Sequence, residues 1–200
     1  MRTVHGYSRL VGFSDGVVAI AITLLILPLV ESASDFHGDV GGFLAAHVTQ
    51  LLIFLLSFAV IGNFWTVHHQ MWEQVTSYTR GLLWANLLWL LSIVFLPFPT
   101  ELLASSNNDR ATYALYIGTM VVTTLAELIQ QAIIVRNPQL QAESIRGTLS
   151  AQRYLVPVGI LLVALALAVA FPTTIGLWGL GLFALNGVIG RMVGQKKKAI

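Results

Sequence analysis

The chain has 200 residues, of which 56% are hydrophobic and only 10% charged, with 11 Lys and Arg against 9 Asp and Glu. Soluble chains are about 25% charged, so this inventory excludes a water-soluble or disordered domain, and no basic patch with interleaved aromatics exists to bind nucleic acid despite a pI of 9.2. The absence of cysteine excludes a disulfide framework, a thiolate metal site and a cysteine nucleophile.

A bilayer core about 30 Å thick is crossed by about 20 mostly apolar helical residues. Six stretches qualify in chain order: Leu10–Val30, Leu44–Val67, Gly81–Leu103, Thr112–Val135, Tyr154–Phe171 and Thr173–Val193. They are continuous rather than alternating, which favours helices over barrel strands. Residues 1–200 therefore read as one all-α, multi-pass membrane domain with short linkers. The longest linker, Arg136–Arg153, carries the helix stop Asn137-Pro138, and Phe171-Pro172-Thr173 forms a tight turn. A rival reading makes the first span a signal peptide, with Ser32-Ala33-Ser34 as its cleavage site. Asp15 at the start of the apolar run weighs against it.

Basic residues mark the cytoplasmic side of a membrane protein. With six spans, Arg110 is the only one of the eleven Lys and Arg residues to fall on the far side, together with Glu31, Asp35, Asp39, Glu101 and Asp109. Both termini are thus expected in the cytoplasm. Trp65, Trp72, Tyr78 and Trp84 surround one cytoplasmic loop and read as an interfacial belt, with Lys196–Lys198 as a lipid anchor.

Ionisable residues inside a span are costly and face protein or water. Asp15 lies about 9 Å along the helix from Arg9, on a different face, so each is expected to find its partner on another helix. Glu127 in the fourth span is either such an inward group or a solvated one near the cytoplasmic end. His68 and His69 close the second span, and Asn63 lies within it. His69 and Glu73 are spaced to clip a metal, but an exposed loop pair is the preferred reading. The small-residue spacing Gly190–Gly194 in the sixth span suits close helix packing. On the first helix, Ile20, Thr23, Leu24 and Leu27 share one face at i, i+3, i+4 and i+7, about 130° from Asp15. Taken alone, that stripe reads as lipid-facing.

Arg9-Leu10-Val11-Gly12-Phe13-Ser14-Asp15 spells Arg-x-x-x-Phe-Ser-Asp. It resembles the signature of the transmembrane protein 175 family of potassium channels. Trp65-Thr66-Val67-His68 is similar to the Trp-x-x-His at the end of that family's second helix, and six spans in about 200 residues match its single-repeat prokaryotic members. The resemblance implies a homotetramer in which the first helix of each subunit lines a central pore. It implies a constriction of bulky apolar side chains at Ile20, with Thr23, Leu27 and Leu24 forming further layers. It also implies a structural polar network tying the first helix to its neighbours, drawn from Arg9, Phe13, Ser14, Asp15, Asn63, Trp65 and His68. Gly16 departs from members with a larger residue after the aspartate.

The residues themselves agree on several points. One small six-helix chain does not comfortably enclose an aqueous pore, so a ring of copies is natural. There is no Thr-Val-Gly-Tyr-Gly filter and no arginine-repeat voltage sensor. A ring of isoleucines gates by dewetting and favours the more cheaply dehydrated potassium ion over sodium. Glu31, Asp35 and Asp39 would gather cations at the outer mouth. The expectation is a modestly potassium-selective cation channel of the cell membrane, with potassium as the permeant species, no cofactor, no metal site and no catalytic residues. The alternative is a proton-coupled secondary transporter using Asp15, Glu127 or His68; the sequence shows neither the midplane helix breaks nor the paired repeats common in such transporters, though Pro28 and Pro97-Phe98-Pro99 near the outer helix ends leave a little room for it.

Overall fold

The computed structural model describes residues 4–34, 36–105, 109–146 and 155–170. They form eight α-helices: α1 (Val4–Leu24), α2 (Leu27–Ser34), α3 (Val40–Ala46), α4 (Val48–Trp72), α5 (Arg80–Phe95), α6 (Pro97–Ser105), α7 (Arg110–Arg136) and α8 (Leu155–Ala170). Two 3₁₀ turns, Pro138–Leu140 and Glu143–Ile145, follow α7. The sixth expected span, Thr173–Val193, lies outside the described residues, as do Asp35 and Lys196–Lys198.

Among the described residues four stretches are long and apolar enough to cross a membrane: Gly6–Ser34, Val48–Trp72, Arg80–Ser105 and Arg110–Arg136. They correspond to the first four spans read from the sequence. The fifth is represented by α8, whose 16 residues fall short of the usual crossing length.

Two of these spans are broken by proline near the same end. Pro28 has no N–H to give to the carbonyl of Leu24, and its ring crowds that carbonyl. The chain responds by tightening: Leu25 N–H bonds Ile22 O and Ile26 N–H bonds Thr23 O, at 3.3 and 3.4 Å, before α2 resumes. Likewise α5 stops at Phe95, Leu96 N–H bonds Ile93 O at 3.2 Å, and Pro97 opens α6, where its missing donor is harmless. The second span starts later than expected. His47 leaves helical geometry at φ −106°, ψ 15°, so Val40–Ala46 is a separate short helix, capped by the Asp39 carboxylate on Gly42 N–H at 2.8 Å. Thr79 and Asp109 cap α5 and α7 in the same way, on Leu82 and Thr112 N–H.

α1 packs against α4 and α5, and α7 packs between α5 and α8. We call the end where α1 begins and α4 finishes the near end. The main core joins Val18 and Ala21 of α1 and Leu25 just after it to Val60, Ile61 and Phe64 of α4, Trp89 and Ile93 of α5, Tyr116 and Met120 of α7 and Leu161 of α8. At the near end a second cluster gathers Met71, Trp72, Val75, Leu82, Ile134 and Leu140, with Tyr7 and Leu10 packed against it. The α4–α5 loop is stitched to the segment after α7 through a Val75–Gln141 bridge, with Thr76 N–H on Leu140 O at 2.9 Å and Ala142 N–H on Gln74 O at 3.0 Å.

One sequence expectation is corrected here and one open alternative is resolved. Trp72 is not part of an interfacial belt: it is 2% exposed, because its indole N–H finds Gln130 Oε1 at 3.0 Å inside the bundle. Trp84, by contrast, is exposed. Glu127 is not solvated: it is 4% exposed and accepts a hydrogen bond from Trp89 Nε1 at 3.2 Å.

Candidate pore helix and its polar anchor

α1 has two faces of different character. Ser14, Val18, Ala21 and Leu25 recur every three or four residues and are buried against the rest of the chain. Ile20, Thr23 and Leu24 lie on the other side and are exposed, Ile20 at 62%. Leu27 is exposed too, but it opens α2 beyond the helix break, so the four stripe residues do not lie on one uninterrupted helix. Thr23 Oγ1 donates its hydrogen to Ile20 O at 2.8 Å. Its hydrogen is spent on its own helix, and its lone pairs stay available as acceptors.

The buried side of α1 is held by a polar chain. Ser14 Oγ donates to Leu10 O at 3.0 Å and accepts from Asn86 Nδ2 at 2.9 Å. Asn86 Oδ1 is 2.8 Å from His68 Nε2. Since the Asn86 amide nitrogen is committed to Ser14, its oxygen must accept, and Nε2 of His68 carries the hydrogen. The imidazole lies flat on the Trp89 indole, centroids 3.8 Å apart and planes 8° from parallel, and the far edge of that indole donates to Glu127. Ser14, His68, Asn86, Trp89 and Glu127 are all buried. One connected set of side chains thus links α1, α4, α5 and α7.

Asp15 lies one residue round the helix, half-buried, and accepts from Trp65 Nε1 at 2.8 Å. The partner on another helix that its position demanded is therefore Trp65. The Trp65 ring stacks on His69 at 5.1 Å, and His69 pairs with Glu73 at 3.5 Å on the exposed side of α4. No group of three or more His, Asp or Glu side chains suited to a metal ion occurs among the described residues.

The polar residues singled out in the sequence are thus only partly brought together. Ser14, Asp15, Trp65 and His68 tie α1 to its neighbours. Arg9 and Phe13 are exposed, and neither Arg9 nor Asn63 makes a side-chain hydrogen bond or ion pair among the described residues. The sequence reading missed Asn86, Trp89 and Gln130. A signal for them existed: Asn86 is a lone amide in an apolar span, and Thr123, Glu127 and Gln130 recur at i, i+4 and i+7, which marks one inward polar face of α7.

Known proteins are similar to this chain in sequence and in fold. Residues 9–97, which contain α1 from Arg9 onward, α4 and α5, match the family described as endosomal/lysosomal potassium channel TMEM175. A protein of Streptomyces collinus (strain DSM 40733 / Tue 365) named as a potassium channel is 40% identical over 122 residues, covering 59% of this chain and 59% of its own length. The human protein named endosomal/lysosomal proton channel TMEM175 is 30% identical over 149 residues, covering 69% of this chain but 29% of its own length. The chain thus spans less than two thirds of these relatives. The crystal structure of a lysosomal potassium-selective channel TMEM175 homolog from Chamaesiphon minutus superposes with a TM-score of 0.73 and 25% identity, covering 94% of this chain and 97% of that one.

Proposed function

We propose that this chain belongs to the transmembrane protein 175 family, whose model matches residues 9–97, and that it forms a potassium-permeable, modestly potassium-over-sodium selective channel in the cell membrane. The family is one of ion channels, not enzymes. In our reading four copies surround a central axis, six spans per copy and both termini in the cytoplasm, with α1 facing the axis. The observation that carries this is the division of α1: the Ser14–Val18–Ala21 side is packed and hydrogen-bonded, while Ile20 on the opposite side is 62% exposed in the single chain. A ring of Ile20 side chains forms the constriction. It holds no charge and no carbonyl cage, so an ion passes by shedding part of its water, which costs the larger potassium ion less than sodium. The same apolar ring closes by dewetting. Thr23, Leu24 and Leu27 add layers above it, and no cofactor is required.

Ion flux from liposomes holding the purified protein tests this, with potassium and sodium compared. Ile20→Asn and Ile20→Ala are expected to change conduction or selectivity while the oligomer persists. Unaltered flux in both variants would sink the pore assignment.

A second reading, a proton-coupled transporter using Asp15, Glu127 or His68, draws support from the burial of His68 and Glu127 within the bundle. Against it, the Trp89 indole stands between those two groups. The hydroxyls of Thr119, Thr123 and Thr124 donate back to carbonyls of their own helix, leaving no ready relay along α7.

A further inference from the structure

We propose that Tyr7 is a positioning residue for the pore helix: clasped to the end of α4, it fixes the tilt of α1 and thereby the fraction of time the Ile20 ring is open. The effect on current rests on the channel reading above, whereas the clasp itself stands on the geometry of one chain.

Tyr7 is half-buried near the start of α1. Its ring stacks on Trp72, centroids 5.9 Å apart and planes 27° from parallel, and its hydroxyl donates to the Trp72 main-chain carbonyl. Trp72 is the last residue of α4, where carbonyls run out of partners within the helix. This carbonyl also accepts Val75 N–H at 3.0 Å, so both of its lone pairs are used.

The frame behind it is fixed on three sides. The Trp72 indole donates to Gln130 of α7 at 3.0 Å, Val75 is bridged to Gln141, and the Trp72 ring faces His68 at 5.7 Å. Tyr7 therefore joins α1 to the stitched near end of the bundle rather than to a loose loop.

The spacing along α1 gives the clasp its leverage. Tyr7 and Ser14 are seven residues apart, so both point to the anchored face, about 10 Å from each other. Ser14 and its neighbour Asp15 make their cross-helix bonds at one level of α1, to Asn86 and Trp65, and a helix with its polar holds at one level swings about it. A second hold on the same face stops the swing. Val4–Leu24 is one unbroken helix, so a change of tilt at Tyr7 is carried to Ile20, about 20 Å away. Ile20 points about 140° from Tyr7, and so moves toward or away from the axis as α1 tilts.

Tyr7→Phe keeps the stacked ring and removes only the hydroxyl donor, and Tyr7→Ala removes both. Because the chain has no cysteine, a spin label at Gly12→Cys, where a Cβ meets no heavy atom within 4 Å, reports the motion of α1 in the whole 200-residue chain. Label mobility is expected to rise in Tyr7→Phe and further in Tyr7→Ala. In planar bilayers, open probability is expected to shift by about two- to tenfold, the range a single hydrogen bond commands. Unitary conductance and the potassium–sodium reversal potential should stay at wild-type values. Unchanged mobility in both variants overturns the clasp. Raised mobility with unchanged open probability, or an altered reversal potential, overturns its role in gating. A wild-type protein that passed no current would count against the channel reading alone, and the mobility measurement would still decide the clasp.

Discussion

His68 lies flat against Trp89, with ring centroids 3.8 Å apart and planes 8° from parallel, while its Nε2 reaches Asn86 at 2.8 Å. One side chain thereby joins α4 to α5 twice, once through a ring face and once through a hydrogen bond. Through Asn86 it also reaches Ser14, so the register of the exposed α1 stripe depends on a histidine that never touches it.

The two contacts are separable by substitution. His68→Phe keeps a ring to stack on Trp89 but leaves Asn86 Oδ1 buried without its donor, at a cost of about 1–3 kcal/mol. His68→Ala loses the stack as well, worth about another 0.5–1.5 kcal/mol beyond buried area. Unfolding of the detergent-purified protein, followed by tryptophan fluorescence, should therefore rank wild type above His68→Phe and His68→Phe above His68→Ala. If His68→Phe matched wild type, the Asn86 bond would carry no weight and the stack alone would account for the residue.

Glu127 accepts the Trp89 N–H at 3.2 Å and makes no ion pair among the described residues. Glu127→Gln keeps an oxygen to accept that bond in a side chain of the same size, so stability is expected to stay within about 1 kcal/mol of wild type. Glu127→Leu orphans the indole N–H and should cost about 1–3 kcal/mol. The pair also separates the two functional readings. In the channel, Glu127→Gln leaves potassium flux unchanged, whereas a transporter using Glu127 as its proton carrier loses proton-coupled transport. Proton-coupled flux in wild type that disappears in Glu127→Gln would reverse our preference.

Much of this arrangement is legible in the sequence, for reasons that vary by residue. The four long spans stand out because a continuous apolar run of that length matches the thickness of a bilayer and exceeds what an ordinary buried helix needs. Asp15 and His68 stand out because polar groups at such positions need partners, and Ser14 through the Phe-Ser-Asp motif that it shares with the family. Tryptophan is harder to read. Its indole N–H is satisfied equally by a headgroup or by a glutamine across the bundle, so Trp72 reads as a membrane-surface residue although it points at Gln130. Pro28 is visible, yet the break falls before it, at Leu25-Ile26, because proline disturbs the carbonyl four residues upstream. Asn86 cannot be placed from its own span alone: what makes it central is Ser14 and His68, which lie on other helices and meet it only in the folded bundle.

Thr23 offers the sharpest test of how the proposed pore treats its ion. Its hydroxyl hydrogen is fixed on Ile20 O at 2.8 Å, which leaves the oxygen lone pairs free to accept on the exposed face, where the proposed pore would carry a cation past them. Thr23→Val has nearly the same shape but presents a methyl group, and so withdraws the one side-chain oxygen of the Ile20–Leu27 stripe. An ion leaving its water there loses a contact worth about 1 kcal/mol, or about fivefold in rate. Thr23→Ser keeps the oxygen and should conduct much as wild type does. Potassium currents in planar bilayers are therefore expected to fall about fivefold in Thr23→Val and to survive in Thr23→Ser. If both variants fell together, side-chain volume would be the controlling property, and if neither fell, the Thr23 layer would not contact the ion. A potassium-specific loss in Thr23→Val alone would place hydroxyl coordination beside the dehydration cost at Ile20 as a source of selectivity.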